Sequence, residues 1–196
     1  MRRSMAIMLA LVFVAFFVSA KKLTVVNIEK GELPSDIAKF ICNLSEEHTF
    51  SKGGVSLKVE AEKYPTLGIV GEYNPRKGVW DGYDYFWVEY FNTAKKPVSL
   101  TLLLKHTGDT YQTRLDQNVM LRPGKGAIEV ELNGACSNDG KAFDFKKKLV
   151  QWNLGGNIEA PIYFGSFQLL TSDELDKINS KADAKPAKEN EKKDNK

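Results

Sequence analysis

Two histidines, a pair of acids two apart on a predicted strand and a run of aromatic residues are side chains whose type and spacing could do chemistry here. His48 and His106 fall in opposite halves of the chain, without a neighbour at metal-ligand spacing. A histidine-rich zinc site is therefore not indicated, and each reads as a polar loop or edge residue. Glu129 and Glu131 stand two apart, on the same face of a predicted strand. Glycosidases need two carboxylates at a fixed separation, but with Ile128, Val130 and Leu132 turned inward a solvated strand face explains these acids fully. The sequence has neither a Gly-x-Ser-x-Gly elbow nor a phosphate loop. The reading is therefore against catalysis.

The aromatic run WDGYDYFWVEYFN, residues 80 to 92, holds seven rings in thirteen positions. On a strand alternate residues share a face. Phe86, Val88 and Tyr90 form one set, unbroken by charge, and read as core. Tyr85, Trp87, Glu89 and Phe91 form the other, which contains a charge and so faces water at least in part. The next predicted strand alternates Val98, Leu100, Leu102 and Leu104 with Ser99, Thr101, Leu103 and Lys105. Pairing the two mixed faces sets Tyr85 and Trp87 beside hydroxyls and an ammonium. A ring next to hydrogen-bonding groups suits sugar recognition, since it stacks on the C–H face while polar groups meet the hydroxyls. The competing reading is that a tail, loop or helix covers this face and makes it a minor core.

These side chains are carried on short strands that recur every ten to fifteen residues. LTVVNI, GGVSLKVEAE, TLGIVGEY, YFWVEYF, SLTLLLKH, YQTRLDQNVML, AIEVEL, KLVQWNL and PIYFGSFQLL are separated by turn-like segments such as HTGD, RPGKG and GGNIEAP. A short helix opened by Ser35 is expected between the first two. The pattern predicts an all-β, antiparallel β-sandwich or jelly roll. Residues 1–20 combine Arg2 and Arg3 with an apolar run and small residues at 18–20, and read as a cleaved secretory signal peptide. The sandwich is assigned to 21–172. Residues 173–196 are lysine-rich with few apolar side chains and read as a disordered charged tail, whose start could extend a helix begun at Ser172.

Without Arg2 and Arg3 the net charge falls from +3 to +1, which lacks the basic bias of a nucleic-acid binder. After signal cleavage no stable membrane span is expected. Cys42 and Cys136 either bridge, as an oxidising compartment permits, or stay as thiols.

Residues 80–132 resemble the middle of the galactose-binding-like jelly-roll domains, which include many carbohydrate-binding modules. The resemblance lies in Trp80, Gly82, Tyr83 and Asp84 leading into a strand that ends at Tyr90-Phe91-Asn92. It continues in Lys96-Pro97-Val98, and in Leu121-Arg122-Pro123-Gly124-Lys125 before the strand at 127–132. Upstream Gly53 to Val59 and Tyr64-Pro65, and downstream Pro161 to Phe164, extend it over roughly residues 23–170. It implies an extracytoplasmic β-sandwich, usually without catalysis of its own. It also implies a structural calcium, with Glu29 at the first ligand position and the loop Phe50 to Gly53 offering carbonyls. The family's acid on the last strand is missing, because the chain reads Tyr163-Phe164-Gly165. On the concave face the matching ligand positions are Tyr85, Trp87, Lys105, Tyr111, Arg114, Gln151 and Asn153; Trp152 has the opposite parity and reads as core. The expected function is glycan binding by stacking, the alternative being a sandwich that docks an envelope protein.

Overall fold

The computed structural model describes residues 22–29, 31, 42–61, 66–70 and 79–183. The signal-peptide reading, the helix expected from Ser35 and the tail beyond 183 lie outside the described residues. In chain order the elements are β1 (Lys22–Val26), β2 (Cys42–Ser45), β3 (Ser56–Val59), β4 (Thr66–Val70), β5 (Tyr85–Asn92) and β6 (Val98–His106). They continue with β7 (Leu115–Leu121), β8 (Gly124–Glu131), β9 (Leu149–Gly155), β10 (Ile162–Phe164), β11 (Phe167–Leu170) and α1 (Ser172–Asp183).

The described strands make two antiparallel sheets, as the sequence pattern predicts. One has seven strands in the order β1-β11-β5-β10-β3-β2, with β8 on the other edge of β5; the second runs β4-β9-β6-β7. Apolar residues at every second position supply the surfaces that close between them. From β5 come Phe86, Val88 and Tyr90, from β6 Leu100, Leu102 and Leu104, and from β9 Trp152 and Leu154, all buried in one core cluster. Aromatic rings tie the sheets together. Phe86 lies 5.7 Å from Trp152 and 5.7 Å from Trp80, and Trp152 lies 5.4 Å from Phe167.

β5 does not pair with β6. It is flanked by β8 along its whole length, and by β11 and β10 in turn on the other side. β6 lies in the opposite sheet between β7 and β9. The pairing expected between the mixed faces of 85–91 and 98–105 is thus corrected. The segment between the two strands passes from one sheet to the other, a route that local alternation does not encode.

Three further details bear on the sequence reading. Residues 172–183 form α1, the helix that the sequence allowed to begin at Ser172 and run into the segment assigned to the tail, and Leu175 finds an apolar partner surface on Trp87 and Leu170. No disulfide joins Cys42 and Cys136. Cys42 is buried on β2, where burial pushes its thiol pKa up, while Cys136 is exposed in the β8–β9 connection with its thiol 3.4 Å from the Gly134 carbonyl. The strand read at 161–170 is broken at Gly165–Ser166, where the Gly165 N–H donates to Glu89 O and the Ser166 hydroxyl accepts from Ile28 N–H.

Asp84, just ahead of β5, stitches three elements. Its Oδ2 accepts from the Ser172 N–H (2.7 Å) and hydroxyl (2.9 Å), and its Oδ1 accepts from Asn133 Nδ2 (2.8 Å). A carboxylate at this place satisfies an orphan amide at the positive end of α1. The Ser172 amide, helped by Asn133, holds the Asp84 carboxyl below its ordinary range. A depressed carboxyl stabilises the fold fully above the unfolded value of about 3.9, and the contribution is lost as pH falls through the lower folded value. Gly126 has a different duty. It faces Tyr90 across β8, and a Cβ there would come within 2.5 Å of the phenol oxygen and 2.6 Å of Cζ. The bare backbone lets the Tyr90 ring cross β8, where its hydroxyl accepts from the Arg122 N–H at 2.9 Å.

Two outcomes follow for denaturant unfolding. Asp84→Ala lowers stability at neutral pH by about 0.5–2 kcal/mol, the usual cost of a lost cap, and the gap from wild type closes as the solution is acidified below about pH 4. Gly126→Ala costs about 1–3 kcal/mol through the displaced Tyr90 ring.

Candidate functional site

The residues proposed from sequence separate into two groups on opposite sides of the sandwich. Because Phe86 and Trp152 meet in the core, the residues beside them point away from it in opposite directions. Tyr85 and Trp87 face outward from the seven-stranded sheet. Lys105, Gln151 and Asn153 face outward from the four-stranded one, with Trp152 buried between the latter two as expected.

On the four-stranded sheet the register assembles a polar face. Lys105 is opposite Gln151, and Leu103 is opposite Asn153 on one side and Asp116 on the other. In the next row Thr101 donates its hydroxyl hydrogen to Asn118 Oδ1 at 2.9 Å. The residues Tyr111 to Arg114, read from sequence as the start of a strand, form a turn before β7. This turn sets Tyr111 outside, 61% exposed, with the Arg114 guanidinium 4.7 Å from its ring centroid. Arg114 reaches Asp116 Oδ2 through Nε (3.1 Å) and Nη2 (2.8 Å). Asn138 anchors the turn from the β8–β9 loop, donating to Tyr111 O (2.7 Å) and Asp116 Oδ2 (3.1 Å). The second oxygen of Asp116 and Oδ1 of Asn153, either side of Leu103, are buried and accept no hydrogen bond. The face thus offers cations, an amide and one exposed ring, the set that meets sugar hydroxyls and a C–H surface.

Asp116 and Asn118 were not proposed from sequence. Both share a parity on β7 with the exposed Met120, and that alternation was the available signal.

The other group is covered. Trp87 is 6% exposed and packs with Leu170 and Leu175, while Tyr85 and Ile178 close over the same cluster. The open platform expected at Tyr85 and Trp87 is corrected to a minor core beneath α1.

The histidines serve loops. His48, at φ +47°, stacks on Phe91 with ring centroids 3.8 Å apart and meets Tyr163 edge-on, and the Tyr163 hydroxyl donates to Glu47. His106 has Nδ1 3.1 Å from Asp109 Oδ2 and Nε2 3.1 Å from the Asp144 carbonyl oxygen, with its ring stacked on Phe143. A cleft of about 390 Å³ opens beside it. The acids there already have partners: Asp139 accepts from the Ser137 hydroxyl (2.7 Å) and from Lys141, which hold its pKa down to about 2.

Calcium does not fit the residues present. Glu29 is exposed in the turn after β1. Where the resemblance calls for an acid on the last strand, a Cβ on Gly165 would meet the Phe50 ring at 3.2 Å. An aromatic ring therefore occupies space that calcium would need filled with oxygens. Among the described residues no three His, Cys, Asp or Glu side chains are grouped so as to hold a metal ion. No helix among them is long and apolar enough to cross a membrane.

Scans of the sequence against protein-family models and against curated proteins give no match. Solved structures do match in fold. An agarase, AgWH50C, superposes with a TM-score of 0.56 at 15% identity over 77% of this chain, and the chain spans about a quarter of that enzyme, 24%. A family 11 carbohydrate-binding module, CtCBM11, gives 0.54 at 11% identity over 80% of this chain and 98% of the module. The family 11 module of the cellulosomal cellulase Lic26A-Cel5E of Clostridium thermocellum gives 0.51 at 12% identity over 79% and 96%. The fold is the jelly-roll β-sandwich of carbohydrate-binding modules.

Proposed function

We propose that this chain is an exported, non-catalytic module that binds a glycan on the outer face of its four-stranded sheet. The observation that carries the reading is the exposed Tyr111 ring beside Arg114, on the rim of a face that also presents Lys105, Gln151 and Asn153. Tyr111 stacks on the C–H face of a sugar ring. Lys105 and Arg114 donate to hydroxyl oxygens, and Gln151 donates and accepts.

The near-complete overlap with the family 11 modules supports binding without catalysis, since the enzyme likeness extends over only a quarter of the agarase. Export rests on the leader-like residues 1–20.

In affinity electrophoresis through gels containing agarose or a soluble cellulose derivative, the wild-type chain is expected to be retarded by at least one polysaccharide. Tyr111→Ala weakens that binding about tenfold, or about 1.4 kcal/mol, as loss of a stacking anchor requires. Lys58→Ala, on the other sheet, binds like the parent. Unchanged retardation of Tyr111→Ala, or no retardation of the wild type by any neutral polysaccharide, would overturn the reading.

A further inference from the structure

The outer face of the seven-stranded sheet holds two unmatched polar atoms on adjacent strands, one of them on the tryptophan beneath α1. Trp87 and Gln168 are register partners on adjacent strands, 6% and 8% exposed. The Trp87 indole N–H has no acceptor, and Gln168 Oε1 has no donor. Burying such a pair unmatched works against the packing that covers it. Trp152 also has an unmatched indole N–H, but it is enclosed between the two sheets and cannot be reached without unfolding. Trp87 is enclosed by one helix.

That helix has a slender hold. Among residues 172–181 of α1 Leu175 alone is buried; Ile178 is half-buried, and Asp173, Asp176, Lys177 and Lys181 are exposed. A twelve-residue helix is marginal in water without tertiary packing, so loss of these contacts both undocks and melts it. What remains when it leaves is a chemically complete surface. It comprises the faces of Trp87 and Tyr85, a free indole N–H, the amide of Gln168 on the adjacent strand, and the exposed carboxylates of Glu129 and Glu131, which are register partners of Trp87 and Tyr85.

We propose that α1 is a removable cover over a second stacking site, which takes a neutral sugar ring. The ring lies on Trp87, and its hydroxyls pair with the indole N–H and with Gln168 Oε1. Glu129 and Glu131 favour a neutral glycan over an anionic one, because a carboxylated or sulfated ring would face like charge. This site does not depend on the four-stranded face, and its test is carried out with that face disabled.

In the full-length chain carrying Tyr111→Ala, Leu175→Ser and Ile178→Ser are introduced together to release α1. Acrylamide then quenches a tryptophan that was protected before. Retardation by neutral agarose or a neutral cellulose derivative rises at least tenfold over the Tyr111→Ala chain, and carboxymethylcellulose gives no comparable rise. Adding Trp87→Leu removes the gain. Exposure of Trp87 without any gain in binding, or a gain that survives Trp87→Leu, overturns the proposal. Should the release variant fail to fold, hydrogen exchange on the wild-type chain decides. The Trp87 indole N–H must exchange through a local opening much faster than those of Trp80 and Trp152. Exchange of all three at one common rate overturns the removable cover.

Discussion

The contact between Phe86 and Trp152 across the sandwich governs what every neighbouring side chain can do. On a strand, committing one residue to the core commits the next to the opposite face. With Phe86 inward, Tyr85 and Trp87 must leave the seven-stranded sheet on its far side. With Trp152 inward, Gln151 and Asn153 must leave the four-stranded sheet on the other. The two rings of the aromatic run and the polar residues around β9 therefore cannot contribute to one site. The amide-rich face with Tyr111 at its rim and the tryptophan beneath α1 are separate surfaces.

Much of this was legible before the fold was known. Alternation identified Phe86, Val88 and Tyr90 as core, gave Trp152 the parity opposite to Gln151 and Asn153, and placed Lys105 on the outer face of β6. Alternation is a local property and survives in any sheet. Strand partnership is not local. β5 and β6 are neighbours in sequence with an ordinary turn-like segment between them, yet Asn92 Nδ2 bonds to Leu121 O and its Oδ1 accepts from the Ala94 N–H. Those bonds secure the crossing from one sheet to the other. The cover on Trp87 was hidden for a related reason. α1 is polar almost throughout, and its one buried leucine is informative only once Trp87 and Leu170 are known to lie side by side. The missing acid on the last strand was legible in the sequence as Gly165, and the structure adds that the Phe50 ring packs against that position.

The two faces differ in how their polar groups are satisfied. On the seven-stranded side, away from α1, His48 stacks on Phe91 and Lys125 reaches Glu89 at 3.4 Å, so that region is closed by its own loop. On the four-stranded side the arrangement is open. Arg114 is positioned by Asp116 and Asn138, with Tyr111 exposed beside it. Side chains held in place by neighbours while retaining unused hydrogen-bonding capacity are what a pre-organised binding face consists of. The likeness to family 11 modules and to part of an agarase concerns the fold, and the assignment of a ligand rests on these side chains.

A titration of isotope-labelled protein with a soluble neutral oligosaccharide, followed by nuclear magnetic resonance, tests the central claim most directly. The account predicts that the largest shifts fall on the side-chain amides of Gln151 and Asn153, the Arg114 guanidinium and the backbone of 110–116. Shifts confined to the loops around His48 or to the cleft beside His106, with those amides unmoved, would contradict it.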